Sequence, residues 1–292
     1  MKWIYSLLAF AAVSTISAAP LEDKIVKRAS VSDVATVGYA TLNGGALTSA
    51  VAGDSPKIVI ISVGYLSHPR SALNGIGLRV LSVSNVIIRN IKISKVLASA
   101  GDAIGVQSAS QVWLDHLDLS SDRDHDKVCV YRLLLYDGLL DITHGCTGVT
   151  VTNSKLYTHW KASLVGHSDN NGAEDVAITV TFANNWWFDL NSRTPFGHGH
   201  IFNNVFDDNN DGINTRDGAQ LLVENNVWTG TDKPLYATDE GFAVSRGNDF
   251  GPDGADTAPV GNFNTAPYSY SLLPTANVRA SVTASAGQTL TF

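Results

Sequence analysis

Between residues 85 and 228 the chain repeats one short pattern, and this restricts its fold more than any other feature. Segments 85–93, 111–119 and 148–156 each carry alternating apolar residues, a single polar residue (Asn90, His116, Asn153) and a second short alternating run. Segments 180–188, 200–206 and 222–228 follow the same plan around the pairs Asn184–Asn185, Asn203–Asn204 and Asn225–Asn226. Alternation with a period of two marks a strand with one buried face, and the polar residue between two such runs marks a turn. The copies recur irregularly, roughly 20 to roughly 37 residues apart, within or near the spacing of solenoid repeats. Hairpins of a β-sandwich are the competing arrangement, but hairpin turns favour Asn-Gly, whereas here Asn-Asn runs into Trp or Val. The pattern predicts an all-β, parallel β-helix, with asparagines stacked from coil to coil into a hydrogen-bonded ladder. The region after Thr257 is turn-rich and then alternates weakly through Val278, Ala280 and Val282; it is expected to cover the side or end of that helix.

The N-terminus reads as a secretory signal over residues 1–19: Lys2, an apolar run from Ile4 to Val13, then small residues Ser17, Ala18 and Ala19. Residues 20–28 end in the dibasic pair Lys27–Arg28 and read as a propeptide, leaving 29–292 as a single domain. No later apolar run is long enough to span a bilayer. The chain is therefore expected to be secreted and monomeric, with no membrane partner. A net charge of −7 gives no basic footprint for nucleic acid, although a local basic cleft for an anionic polymer remains compatible with it. Cys129 and Cys146 could pair in an oxidising compartment, but their spacing is not that of a metal-thiolate site.

Several residues stand out against this scaffold. Arg193 precedes Thr194–Pro195, and proline biases the residue before it towards extended backbone. The arginine is thus expected at the edge of a strand, where it could pair with a carboxylate in fixed geometry. Asp102 precedes the strand of Trp113 and His116, and Asp137 and Asp141 flank the Gly138 to Leu140 stretch. If Asp102 lies on one coil and Asp137 and Asp141 on the next, all three reach one hard cation of the Ca²⁺ type. Turn residues are the alternative use of such aspartates. Lys161, between Trp160 and Ala162, faces either a groove or solvent. The denser acidic run from Asp122 to Asp126 reads as a solvated loop.

Taken together, residues 112–116, 137–141, 160–162, 166–169 and 191–195 resemble the pectate lyase family (polysaccharide lyase family 1) of right-handed parallel β-helix enzymes. The likeness runs from about Gly77 to Asp249 and keeps the order of five separate motifs. It implies that Asp102, Asp137 and Asp141 bind Ca²⁺, that Lys161 binds a substrate carboxylate, and that Arg193 removes the C5 proton of a galacturonate. Polygalacturonate would be the substrate and β-elimination the reaction. Related pectin lyases lack the calcium carboxylates, so retention of three aspartates favours pectate. A hydrolase would need paired carboxylates at a glycosidic cleft and leaves Arg193 without a role.

Four departures from the family pattern qualify this expectation. No second arginine follows Pro195, where the family places one that binds substrate. Residues 128–135 interrupt the approach to Asp137 with an apolar, basic stretch that reads as translated intron. Asn43 to Ala46 is abrupt, and Ser62 to Asn74 lacks the alternation of an early coil. The chain accordingly reads as a mis-spliced or mispredicted version of such an enzyme, and a non-catalytic pectin-binding β-helix stands as the alternative.

Overall fold

The computed structural model describes residues 33–42, 72–123, 135–168, 170–192 and 199–291. The strands fall into successive coils. β1 (Ala72–Asn74) precedes a first coil of β2 (Leu78–Leu81), β3 (Ser84–Arg89) and β4 (Lys92–Ser94). The next two coils are β5 (Ile104–Gln107), β6 (Ser110–Asp115), β7 (Asp118–Ser120), then β8 (Leu140–Thr143), β9 (Thr147–Thr152), β10 (Lys155–Lys161). A one-turn helix α1 (Gly172–Asp175) leads to β11 (Val180–Ala183) and β12 (Trp186–Ser192), followed by β13 (Gly199–Phe202) and β14 (Val205–Asp207). The last coils are β15 (Asp211–Thr215), β16 (Gln220–Glu224), β17 (Val227–Thr229), and β18 (Lys233–Ala237), β19 (Phe242–Arg246).

Every ladder between these strands is parallel. One sheet runs β1-β4-β7-β10-β12-β14-β17 and a second β3-β6-β9-β11-β13-β16-β19; β2-β5-β8 and β15-β18 form the third side. This is the parallel β-helix expected from the repeat. Its interior is a continuous apolar core from Val80 to Ala243. A column of rings fills one part of it: Trp187 stacks on Phe206 (5.9 Å) and Phe206 on Trp228 (4.8 Å). Each fully buried side chain of this kind contributes on the order of 1.5–3 kcal/mol.

The paired asparagines divide two tasks. The first of each pair, Asn184, Asn203 and Asn225, takes the left-handed backbone of the corner (φ 59°, 54° and 49°), as do Asn90, His116 and Asn153; asparagine tolerates that region better than most residues. The second turns inward. Asn185 N–H donates to Asn204 Oδ1, Asn204 N–H to Asn226 Oδ1, and Asn226 N–H to Asn248 Oδ1, each at 2.9 Å. Ser154 extends this ladder towards the N-terminus by donating its N–H to Asn185 Oδ1 and accepting from Leu117 N–H.

The C-terminal region covers the side of the coils, as expected, but residues 275–285 form an α-helix, α2 (Thr275–Ser285), rather than an alternating strand. Val278 and Val282 are one helical turn apart and pack on Val205 and Val227, while Arg279 grips Asp207 through two nitrogens. The outward asparagines pin the flanks of this tail: Asn203 Nδ2 donates to Ser271 O, Asn225 Nδ2 to Leu273 O, and Asn90 Oδ1 accepts from Leu290 N–H. The signal and propeptide, residues 43–46 and 62–71, Cys129 and most of the 128–135 insertion lie outside the described residues. Cys146 is a buried free thiol that donates to Thr143 O.

Candidate active site

Register on the third side brings the aspartates together. Asp102 stands just before β5 and Asp141 is the second residue of β8; Gly105 pairs with Asp141 across the two strands. Ala103 N–H donates to Gly138 O at 3.0 Å, and Gly138 N–H donates to Asp102 Oδ1 at 3.0 Å. A Cβ at position 138 would lie 2.5 Å from Asp141 Oδ1 and 3.0 Å from Asp102 Oδ1. Two carboxylates thus converge on a point that only glycine leaves open. Asp141 is buried and its Oδ1 accepts Leu164 N–H at 2.9 Å. Burial, and then the charge of Asp137, push the Asp102 carboxyl above the usual carboxylate range.

Asp102 and Asp137 also face cations. Arg79 Nη1 lies 3.4 Å from Asp102 Oδ2, and the guanidinium donates to the backbone carbonyls of Asp102 and Ala100. Gly101 and Gly105 make room for it, since a Cβ at either position would meet the guanidinium. Lys161, the last residue of β10, places Nζ 3.2 Å from Asp137 Oδ1. Two residues earlier on the same strand, His159 Nε2 meets Asp137 O. Desolvation lowers the pKa of this buried imidazole to about 4, so at neutral pH it is uncharged and donates to the carbonyl.

The donor set fits Ca²⁺: hard carboxylate oxygens, two of them crowded over a glycine and one raised in pKa by burial and then by a like-charged neighbour. Among the described residues no three metal-ligating side chains are already gathered about one point. Lys161 Nζ instead holds Asp137 Oδ1, and Arg79 lies on the outer oxygen of Asp102.

Arg193 lies outside the described residues. Its predecessor Ser192, the last residue of β12, pairs in register with Lys161 and accepts Ala162 N–H through its carbonyl at 2.9 Å. Of the acidic run 122–126, the first two residues are half-exposed and 124–126 lie outside the described residues. Arg123 forms an ion pair with Asp189 and donates to Asn210 Oδ1. Asp122 and Arg123, with Thr158, Trp160 and Asn191, border a cleft of about 380 Å³.

A family model described as pectate lyase matches residues 70–290. The chain belongs to the pectate lyase family. Pectate lyase A of Aspergillus niger is 48% identical over 327 aligned positions, covering 100% of this chain and 99% of that protein. Among solved structures, a pectate lyase from Xanthomonas campestris pv. campestris superposes with a TM-score of 0.66 at 28% identity, covering 75% of this chain and 74% of that one. One from Bacillus sp. N165, solved in complex with trigalacturonate, gives 0.63 at 31%, covering 73% and 71%. The lyase class and the β-helix expected from the sequence are thereby borne out. The Aspergillus alignment has 327 positions and this chain 292 residues, so 35 positions (327 less 292) fall opposite gaps in this chain. Because the match runs end to end, that shortfall is internal.

Sequence reasoning missed Arg79 and His159, which contact Asp102 and the Asp137 carbonyl here. The signal for Arg79 was present in Gly101 and Gly105 on either side of Asp102, spaced to admit a large side chain from the coil below. His159 carried a weaker signal: it shares a strand face with Lys161 at i, i+2.

Proposed function

We propose that the protein is an extracellular, Ca²⁺-dependent pectate lyase that cleaves the (1,4)-α-D-galacturonan of plant cell-wall pectin by β-elimination, as a monomer. The observation that carries this reading is the convergence of Asp102 and Asp141 over Gly138, with Asp137 and Lys161 adjoining and β12 leading into Arg193. The trigalacturonate bound to the Bacillus relative supports an oligogalacturonate as substrate.

In this reading Asp102, Asp137 and Asp141 hold Ca²⁺, which when bound withdraws charge from the uronate carboxylate and acidifies the proton at C5. Lys161 pairs with a substrate carboxylate and fixes the sugar in register. Arg193 takes the C5 proton; the electron pair left at C5 forms the C4–C5 double bond as the bond from C4 to the glycosidic oxygen breaks, and that oxygen leaves as a hydroxyl after taking a proton from water. Arginine is ordinarily protonated at any pH an enzyme meets. In this reading the charges of Ca²⁺ and Lys161 would disfavour a further cation at the base, which is expected to work best at alkaline pH.

Residues 1–19 are proposed to direct secretion and 20–28 to be removed after Lys27–Arg28, leaving 29–292 as one catalytic domain. No helix among the described residues is long and apolar enough to cross a membrane. N-terminal sequencing of the secreted protein is expected to begin at Ala29; a start at Pro20 removes the propeptide from this scheme.

Ultraviolet absorbance of the unsaturated product tests the activity. With polygalacturonate and Ca²⁺ the absorbance rises, a chelator stops it, and Arg193→Ala abolishes it. A second reading, a pectin-binding β-helix without turnover, is favoured by one observation: the 35 missing positions, together with the arginine lacking after Pro195. Calcium-dependent binding without product, from folded protein, identifies it.

A further inference from the structure

The ammonium of Lys161 and the carboxylate of Asp137 are each assigned above a different partner, yet here they hold one another at 3.2 Å. The pair cannot stay as it is once both roles are taken up. A Ca²⁺ ion binds its ligand oxygens at about 2.3–2.6 Å, and an ammonium on the same carboxylate would be repelled by it at close range. The lysine is the more enclosed partner, with 15% of its side chain exposed against 39% for Asp137. The ammonium is thus largely enclosed while the carboxylate stands open to solvent.

The backbone around Asp137 is fastened independently of that ion pair. His159 holds the Asp137 carbonyl, Gly138 N–H is held by Asp102 Oδ1, and Gly138 O accepts Ala103 N–H. The carboxylate of Asp137 can thus turn about its own side-chain bonds while the main chain stays fixed. Arg79 is held differently. Its contact with Asp102 Oδ2 is long, and it is anchored on two backbone carbonyls that a cation does not compete for.

We propose that Lys161 is the internal counter-ion of Asp137 and exchanges that carboxylate for the substrate's carboxylate when the cation binds. This rests on the assignment of Asp137 to Ca²⁺ and of Lys161 to substrate. Without the cation, the lysine relieves repulsion between neighbouring acids and is withheld from the cleft. With the cation, the ammonium is released beside Ser192, where the incoming uronate offers the nearest carboxylate. Metal and substrate binding are then coupled through one group, and the coupling is reciprocal: substrate tightens the metal site by the factor that metal tightens substrate.

Brief acetylation of lysines in the wild-type protein, read by peptide mass spectrometry alongside a calorimetric Ca²⁺ titration, tests the exchange without turnover. Labelling of Lys161 is expected to rise several-fold as Ca²⁺ saturates, while Lys155, held against the rings of Tyr157 and Trp186, keeps its level. In Asp137→Asn the label on Lys161 is already high and does not respond to Ca²⁺. Lys161→Met binds Ca²⁺ without substrate about two- to fivefold more tightly, the scale of one partly exposed ion pair removed from competition. Calorimetric binding of Ca²⁺ with no change in Lys161 labelling overturns the exchange, as does equal or weaker Ca²⁺ binding by Lys161→Met. No Ca²⁺ binding by the folded wild type overturns instead the metal assignment beneath it.

Discussion

Gly138 is the residue on which the carboxylates meet, and its hydrogen side chain is what the site requires there. Alanine would set a Cβ 2.5 Å from Asp141 Oδ1, and Asp141 is buried and tied to Leu164 N–H, so the carboxylate cannot retreat freely. Gly138→Ala is expected to lower kcat/KM by about 10- to 100-fold, the cost of ångström-scale misplacement at a reacting centre, with the loss deepest at low Ca²⁺. Titrating activity against Ca²⁺ checks this, and an unchanged calcium dependence would show that the convergence has no part in metal binding. Asp137 and Asp141 stand out locally in the sequence, whereas Asp102, on the preceding coil, joins them only if the coils stack. Arg79 and His159 were not legible, because each reaches its partner only through the register of one coil on the next. With coils of unequal length, that register cannot be counted from the sequence alone.

Among the elements, the corner between the two long sheets carries the clearest contrast between neighbouring residues. Asn204 accepts Asn185 N–H, and its own amide donates to Phe182 O, Phe202 O and Asn226 Oδ1, all without exposure. Its neighbour Asn203 is buried too, but beneath the tail, which it pins at Ser271 O and Leu273 N–H. Asn204→Ala strands buried donors and acceptors and is expected to cost about 2–4 kcal/mol. Asn203→Ala, whose partners can turn to water, is expected to cost about 1 kcal/mol. Urea unfolding of the two variants separates them; equal losses would mean the inner ladder is no more than turn chemistry. The pairs and the ladder were readable from the repeat, but which member turns inward follows from the left-handed corner. The tail was misjudged for a related reason: Val278, Ala280 and Val282 satisfy a period of two, while Val278 and Val282 also satisfy one turn of a helix. The choice between them rests on Val205 and Val227, which the tail covers.

For the whole molecule, pH sets limits on both sides of the proposed chemistry. His200 is fully buried beneath the tail, facing Glu224 and Tyr268 and meeting Tyr270 edge-to-face, with Arg246 on the far oxygen of Glu224. Desolvation lowers its pKa to about 4, and His159 behaves alike. An unfolded chain protonates these imidazoles below about 6.5, whereas the folded one resists until about 4. The unfolded state then binds more protons, so stability is complete above about 6.5 and is lost as the pH falls through that window. At the other end burial pushes the Tyr270 and Tyr236 hydroxyls up to about 12. The unfolded chain ionises them from about 10, so their contribution is lost as the pH rises from about 10 towards 12. Between these limits lies the mildly alkaline range in which an arginine base is expected to work. Thermal midpoints measured from pH 4 to 11 are expected to form a plateau between about 6.5 and 10. Replacing His200 with glutamine, which stays neutral, is expected to flatten the acid limb. An acid limb just as steep in that variant would place the titrating groups elsewhere, with the carboxylates of the cleft the first to examine.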